Sequence, residues 1–244
     1  MNVHRVILEI SERCLLKTDM VNDERLVQII NLDDLIMGGL SIAKKLVHSP
    51  VETLDDYLSA LDIAFDIAMK NGAIGVKSSF AYLRIISYDK VEKSEARKVF
   101  NNGIRHASPT ELKTFQDFMM HTVCEKCAEY NLPFQFHTGL QADNFNVLKN
   151  SNPLLLENLF RDYRKVNFVL FHGGYPYIQE VGVLAKYFPN VYLDACWLSD
   201  ISISAYKRAL SEWLEIVPSN KIFAWGEIKC LLNIVMPHYC LRKI

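Results

Sequence analysis

Six short runs of the chain are almost continuously apolar: RVILEI (5–10), AIGVKSS (73–79), PFQFHTG (133–139), NFVLFHGG (167–174), NVYLDAC (190–196) and KIFAWG (221–226). Strands with one wet face alternate apolar and polar residues. Strands covered on both faces of a parallel sheet do not, and these runs have the second character. Longer segments between them carry helical spacing. Leu54, Tyr57, Leu58, Leu61, Phe65 and Ala68 fall on one helical stripe, with Thr53 placed to cap its start and Gly72 just past its end. Ser108 followed by Pro109 opens another helix, and Asn152–Pro153 repeats the device. A further helical stretch, AYKRALSEWLEIVP, stops at Pro218, whose ring disfavours helix at the preceding residue. Fainter patterns predict helices around 33–48, 94–102 and 177–188.

Strand and helix therefore take turns along the chain, which predicts an α/β fold with a parallel sheet wrapped by helices. Two architectures satisfy this, a (β/α)8 barrel and an open doubly wound sheet. Neither G-x-G-x-x-G nor a Walker-A loop occurs, which weakens the nucleotide-binding form of the open sheet. In both, ligands gather at the C-terminal ends of the strands.

Composition narrows the picture. The 244 residues are 50% hydrophobic and 23% charged with a net charge of -1, so a globular core is expected and a basic nucleic-acid footprint is absent. We read residues 1–244 as one domain. No apolar run approaches the roughly 18 residues of a membrane span. The start, MNVHRVILEISERC, lacks the plan of a signal peptide, so a cytoplasmic protein is expected. The six cysteines are then expected to be reduced. Cys124 and Cys127 form a C-x-x-C inside a helical pattern with no second pair, which reads as core packing rather than a zinc site.

Chemistry concentrates at the strand ends. His137 closes PFQF and His172 closes FVLF, each with glycine within two residues. Imidazoles held on rigid strand ends suit zinc and similar ions, and the glycines let the chain turn sharply or a ligand approach closely. The competing reading is a pair of hydrogen-bonded histidines at the sheet edge. Lys77 ends AIGVK, where it suits an anionic substrate or simply reaches for solvent. Tyr82 and Arg84 follow it, and arginine matches a carboxylate in a bidentate fork. Tyr175 follows His-Gly-Gly and would line the same mouth. Asp194 ends NVYLD and reads equally as a substrate contact or as a supporting carboxylate. No serine sits in a G-x-S-x-G elbow.

The ordered motifs PFQFHTG, VLFHGGYPY, PNVYLDAC and KIFAWG resemble the amidohydrolase superfamily, in its amidohydrolase-related branch of metal-dependent hydrolases and decarboxylases. The resemblance runs from about residue 5 to residue 226. It implies a (β/α)8 TIM-type barrel holding a divalent metal, typically zinc. The family's ligands are an H-x-H on the first strand, histidines ending the fifth and sixth, and an aspartate ending the eighth. Carried over, His137 and His172 are the fifth- and sixth-strand ligands. Lys77, at the end of the fourth strand, is a substrate contact or a carbamate bridge. The six runs then correspond to strands three to eight, giving an incomplete, N-terminally truncated barrel without strands one and two or their H-x-H. His4 stands alone, and Gly226-Glu227-Ile228 stands where the family has an aspartate after glycine. No catalytic base is assigned, and Glu227 is the nearest substitute. The implied function is metal-dependent hydrolysis of a small carbonyl or carboxylate substrate. The alternatives are decarboxylation or an inactive barrel serving as an assembly partner. The expected partner is a small-molecule substrate, with no nucleic acid or membrane, and unpaired sheet edges favour a homo-oligomer.

Overall fold

A computed structural model describes residues 6–11, 26–142 and 144–224. Seven strands form one parallel sheet: β1 (Val6–Ser11), β2 (Leu26–Asn31), β3 (Ala73–Ser78), β4 (Phe134–His137), β5 (Phe168–Phe171), β6 (Val191–Asp194) and β7 (Ile222–Phe223). Their spatial order is β1-β2-β3-β4-β5-β6-β7. A doubly wound sheet would reverse direction at a switch point, and this one never does. With right-handed crossovers, unbroken order puts the connecting helices on one face and leaves the other to curl inward, as in a barrel.

The sequence predicts six strands and the described residues hold seven, which corrects the count. The missed strand is β2, LVQIIN. Gln28 interrupts its apolar run, yet Gln28 is buried. A polar residue turned inward hid the strand.

The helices are α1 (Asp33–Ile36), α2 (Leu40–Val47), α3 (Leu54–Lys70), α4 (Lys93–Gly103), α5 (Pro109–Glu129), α6 (Glu157–Asp162), α7 (Ile178–Tyr187), α8 (Leu198–Ile201) and α9 (Ile203–Ile216). Thr53 and Ser108 both form full capping boxes, with Asp56 and Glu111 answering from the third helical position. Asn152 caps a 3-10 turn ahead of α6 rather than the helix itself. Cys124 and Cys127 lie buried on α5, where burial pushes both thiols up and keeps them protonated.

Strand register separates two layers. Phe134 pairs with Phe168, and Phe136 with Leu170. The Phe134, Phe136, Phe160 and Phe168 rings pack together beneath the helices. The intervening positions face the other way. Lys77 pairs with Gln135 and also with Asn31, while His137 pairs with Phe171. Period-two geometry therefore brings Lys77, Gln135 and His137 to the inner face. No helix among the described residues is long and apolar enough to cross a membrane.

Candidate metal centre at the ends of β4 and β5

His137 is the last residue of β4, and His172 directly follows β5. The two loops that leave them are locked together. Thr138 Oγ1 donates to the Phe171 carbonyl at 2.8 Å, and Leu140 N–H donates to the Tyr175 carbonyl at 2.6 Å. A Cβ on Gly139 would lie 2.3 Å from the Gly174 carbonyl carbon, and Gly139 has φ +74°. Glycine here serves both functions expected of it, left-handed backbone and close approach. His172 itself adopts φ 64°, an uncommon conformation for a non-glycine residue and of the kind that clusters at functional sites.

Both rings are buried, at 5% and 0% exposure. His137 Nε2 lies 3.0 Å from the Leu140 carbonyl, and His172 Nδ1 lies 3.0 Å from the Cys196 carbonyl. A carbonyl only accepts, so each of these nitrogens carries its ring's proton. The remaining nitrogens, His137 Nδ1 and His172 Nε2, face one another at 3.2 Å. Three contacts thus need three hydrogens, and two neutral imidazoles bring two. A third proton is opposed by burial first and by the nearby Lys77 cation second, which hold His137 down to about 3. Burial, His137 and Lys77 keep His172 well below the usual imidazole range. The contact between the two facing nitrogens is left without a hydrogen. Two nitrogens bound to one tetrahedral zinc at ~2.0–2.1 Å lie roughly 3.3 Å apart, close to the 3.2 Å between these two.

The other predicted residues divide. Tyr82 packs its ring edge against His137 at 4.7 Å between centroids, and its hydroxyl accepts from Ala142 N–H. Lys77 is buried with Nζ 3.1 Å from Gln135 Oε1 and 3.5 Å from the Phe171 ring centroid. Burial lowers its ammonium to about 8, against the pull of Glu9 and Asp194, so it stays cationic at neutral pH. Gln135 Nε2 is 3.5 Å from Asp194 Oδ2, which links the lysine to the carboxylate across three strands. Burial raises Asp194 to about 6, opposed by the Cys196 N–H and Lys77. Tyr175 packs partly buried against the core, and its carbonyl holds the Leu140 segment.

Arg84 lies elsewhere. It spends four N–H groups on Gln116, the Ile85 and Ser87 carbonyls, and Asp117. Glu227 lies outside the described residues, as do His4, Cys14, Cys230 and Cys240. Among the described residues no group of three or more His, Cys, Asp or Glu is arranged to hold a metal. Sequence reading missed Gln135, although a lone polar residue two before His137 in an apolar strand marks the same inner face. It also missed the Leu140 and Cys196 carbonyls, which are main chain and leave no side-chain signal.

Residues 94–224, just over half of the chain, match the Amidohydrolase family, and the protein belongs to it. The chain is 30% identical over 208 residues to protein fluG of Emericella nidulans, across 75% of this chain and 24% of that protein. It is 31% identical over 110 residues to a uronate isomerase of Caldanaerobacter subterraneus, across 43% of this chain and 23% of that one. In structure it resembles a "putative metal-dependent hydrolase" from Lactobacillus casei, with TM-score 0.67, 26% identity, and 81% of this chain matched to 50% of the other. The uronate isomerase of Thermotoga maritima shares the fold, with TM-score 0.68 and 16% identity over 88% of this chain and 53% of that one. The chain thus spans about a quarter of the length of these curated relatives and about half of the solved structures.

Proposed function

We propose that the protein is a metal-dependent hydrolase acting on a small carbonyl or carboxylate substrate, with His137 and His172 as two ligands of a divalent ion, zinc by the chemistry of the donors. The observation that carries this is the buried imidazole pair, whose three contacts share two ring hydrogens. A bound zinc would supply Lewis acidity and an activated water at neutral pH. The chain's own residues set the rest. The Leu140 and Cys196 carbonyls fix both tautomers so that the bare nitrogens converge. Lys77 holds a positive charge at the floor of the inner face, suited to a substrate carboxylate. Tyr82 and Tyr175 wall the mouth, and Tyr82 shields the His137 ring from water. Further ligands would come from water, from substrate or from residues beyond those described, Glu227 among them. If β4 is the family's fifth strand, β1 is its second, and the described residues supply strands two to eight.

The fit is tested by stripping the protein with chelator and titrating zinc by calorimetry. One ion per chain is expected, with binding weakened at least ~100-fold by His137→Asn or His172→Asn. Absence of saturable binding would overturn the reading. Metal-loaded protein is then assayed against simple esters, amides and aromatic acids, the last to detect decarboxylation. A second reading, an inactive barrel acting in assembly, draws on the lack of a third ligand among the described residues. It predicts no saturable zinc binding and no turnover.

A further inference from the structure

The two histidines hold their bare nitrogens toward each other in different ways. His137 keeps its proton on Nε2, the nitrogen that carries it in a free imidazole in water. His172 must keep its proton on Nδ1, the less favoured site, or its Nε2 cannot face His137 with a lone pair. The Cys196 carbonyl, 3.0 Å from Nδ1, enforces that choice. That carbonyl belongs to a short turn that the Ala195 N–H anchors to the Phe223 carbonyl of β7. Trp197, the next residue, has φ 67°, and the turn closes through Leu198 N–H to the Ala195 carbonyl. The side chain that braces it is Asp194. Its Oδ1 accepts the Cys196 N–H at 2.8 Å, an Asx turn spanning two residues. Its other oxygen faces Gln135, which in turn accepts from Lys77.

We infer that Asp194 is a positioning residue: by holding the N–H of the Ala195–Cys196 peptide it restrains Cys196, whose carbonyl, in the next peptide, sets the tautomer of His172. The Gln135–Lys77 pair, on β4 and β3, faces the other oxygen of that carboxylate across the inner face of the sheet. This deepens the metal reading by naming what presets one of its two ligands, but the tautomer exists with or without metal.

The test reads the tautomer directly in metal-free protein, from the ring 15N shifts of His172 by long-range 1H–15N correlation at pH 7.5, assigned against His172→Asn. Wild-type protein is expected to show a protonated Nδ1. Asp194→Asn, which retains an oxygen for the Cys196 N–H, should keep it. Asp194→Ala should move His172 largely to the Nε2-protonated form and weaken zinc binding about 10–100-fold, the range for lost supporting contacts. Should the alanine variant fail to fold by circular dichroism, Asp194→Ser replaces it and should give a mixture of the two forms. An Nε2-protonated His172 in wild type, or an unchanged Nδ1 form in folded Asp194→Ala or Asp194→Ser, overturns the inference. Zinc titration of wild type separately decides the metal reading, so the two can fail independently.

Discussion

Two buried polar groups in this molecule look alike in sequence and differ in kind. Arg84 and Asp117 meet below the helices, and His137 and His172 meet on the inner face of the sheet. In the first group the buried carboxylate is fully engaged. Asp117 accepts from Arg84, from Lys113 and from the Asp89 N–H, and Arg84 spends three more donors on Gln116 and two carbonyls. In the second, two protons serve three contacts. A completed buried network holds a fold, because nothing further can improve it. An incomplete one is an opening for a ligand.

The comparison breaks most sharply at Asp117. Replacing it by alanine strands two cations beside a site where the carboxylate was 1% exposed. A loss of about 3–5 kcal/mol in urea unfolding is expected, the cost of removing one partner of a buried pair. Zinc affinity of the protein that remains folded should not change. If affinity falls with stability, the two groups are not separate.

Asp33 gives the next effect. Its carboxylate accepts from Ser78 Oγ at 2.8 Å and Ser79 N–H at 2.7 Å, tying α1 to the segment that carries Tyr82. Burial raises its pKa from 3.8 to about 6, against these hydrogen bonds. A carboxyl with a raised folded pKa contributes stability below its unfolded value and loses it as pH climbs through the folded one. Wild-type stability relative to Asp33→Asn should therefore fall by about 2 kcal/mol between pH 4 and pH 7, after discount for its partial exposure. A flat difference across that range would show that the group is not desolvated. Gly139→Ala should cost a similar amount, about 2 kcal/mol, through left-handed strain and contact with Gly174. Because it wedges apart the loops behind both histidines, it should weaken zinc binding as well, which Asp117→Ala should not.

Much of this was legible beforehand, and the parts that were not share a cause. Capping boxes, apolar strands and the two strand-end histidines are local signals, readable at Thr53, Ser108, His137 and His172 without knowing the fold. Strand β2 was hidden because Gln28 is polar in sequence and buried in space. Arg84 and Lys77 looked equivalent as cations after a strand, and only packing shows that one is saturated by Asp117 while the other faces the histidines' layer. The proton count was invisible altogether, since two of its three acceptors are the main-chain carbonyls of Leu140 and Cys196.

The smallest expected effect is the most telling. Removing one member of a satisfied network is costly, but removing one member of a frustrated network should not be. In metal-free protein, His137→Leu removes one of the two facing lone pairs and loses one hydrogen bond to the Leu140 carbonyl. A net hydrogen bond is worth about 1 kcal/mol, and relief of the unpaired contact offsets part of it. Unfolding of the metal-free variant should therefore differ from wild type by less than about 1 kcal/mol. With saturating zinc the gap should widen, because ligand binding stabilises only the protein that retains the site. A large loss without metal would mean that the histidine pair is already complete, held by a shared third proton, and is part of the scaffold like Arg84 and Asp117.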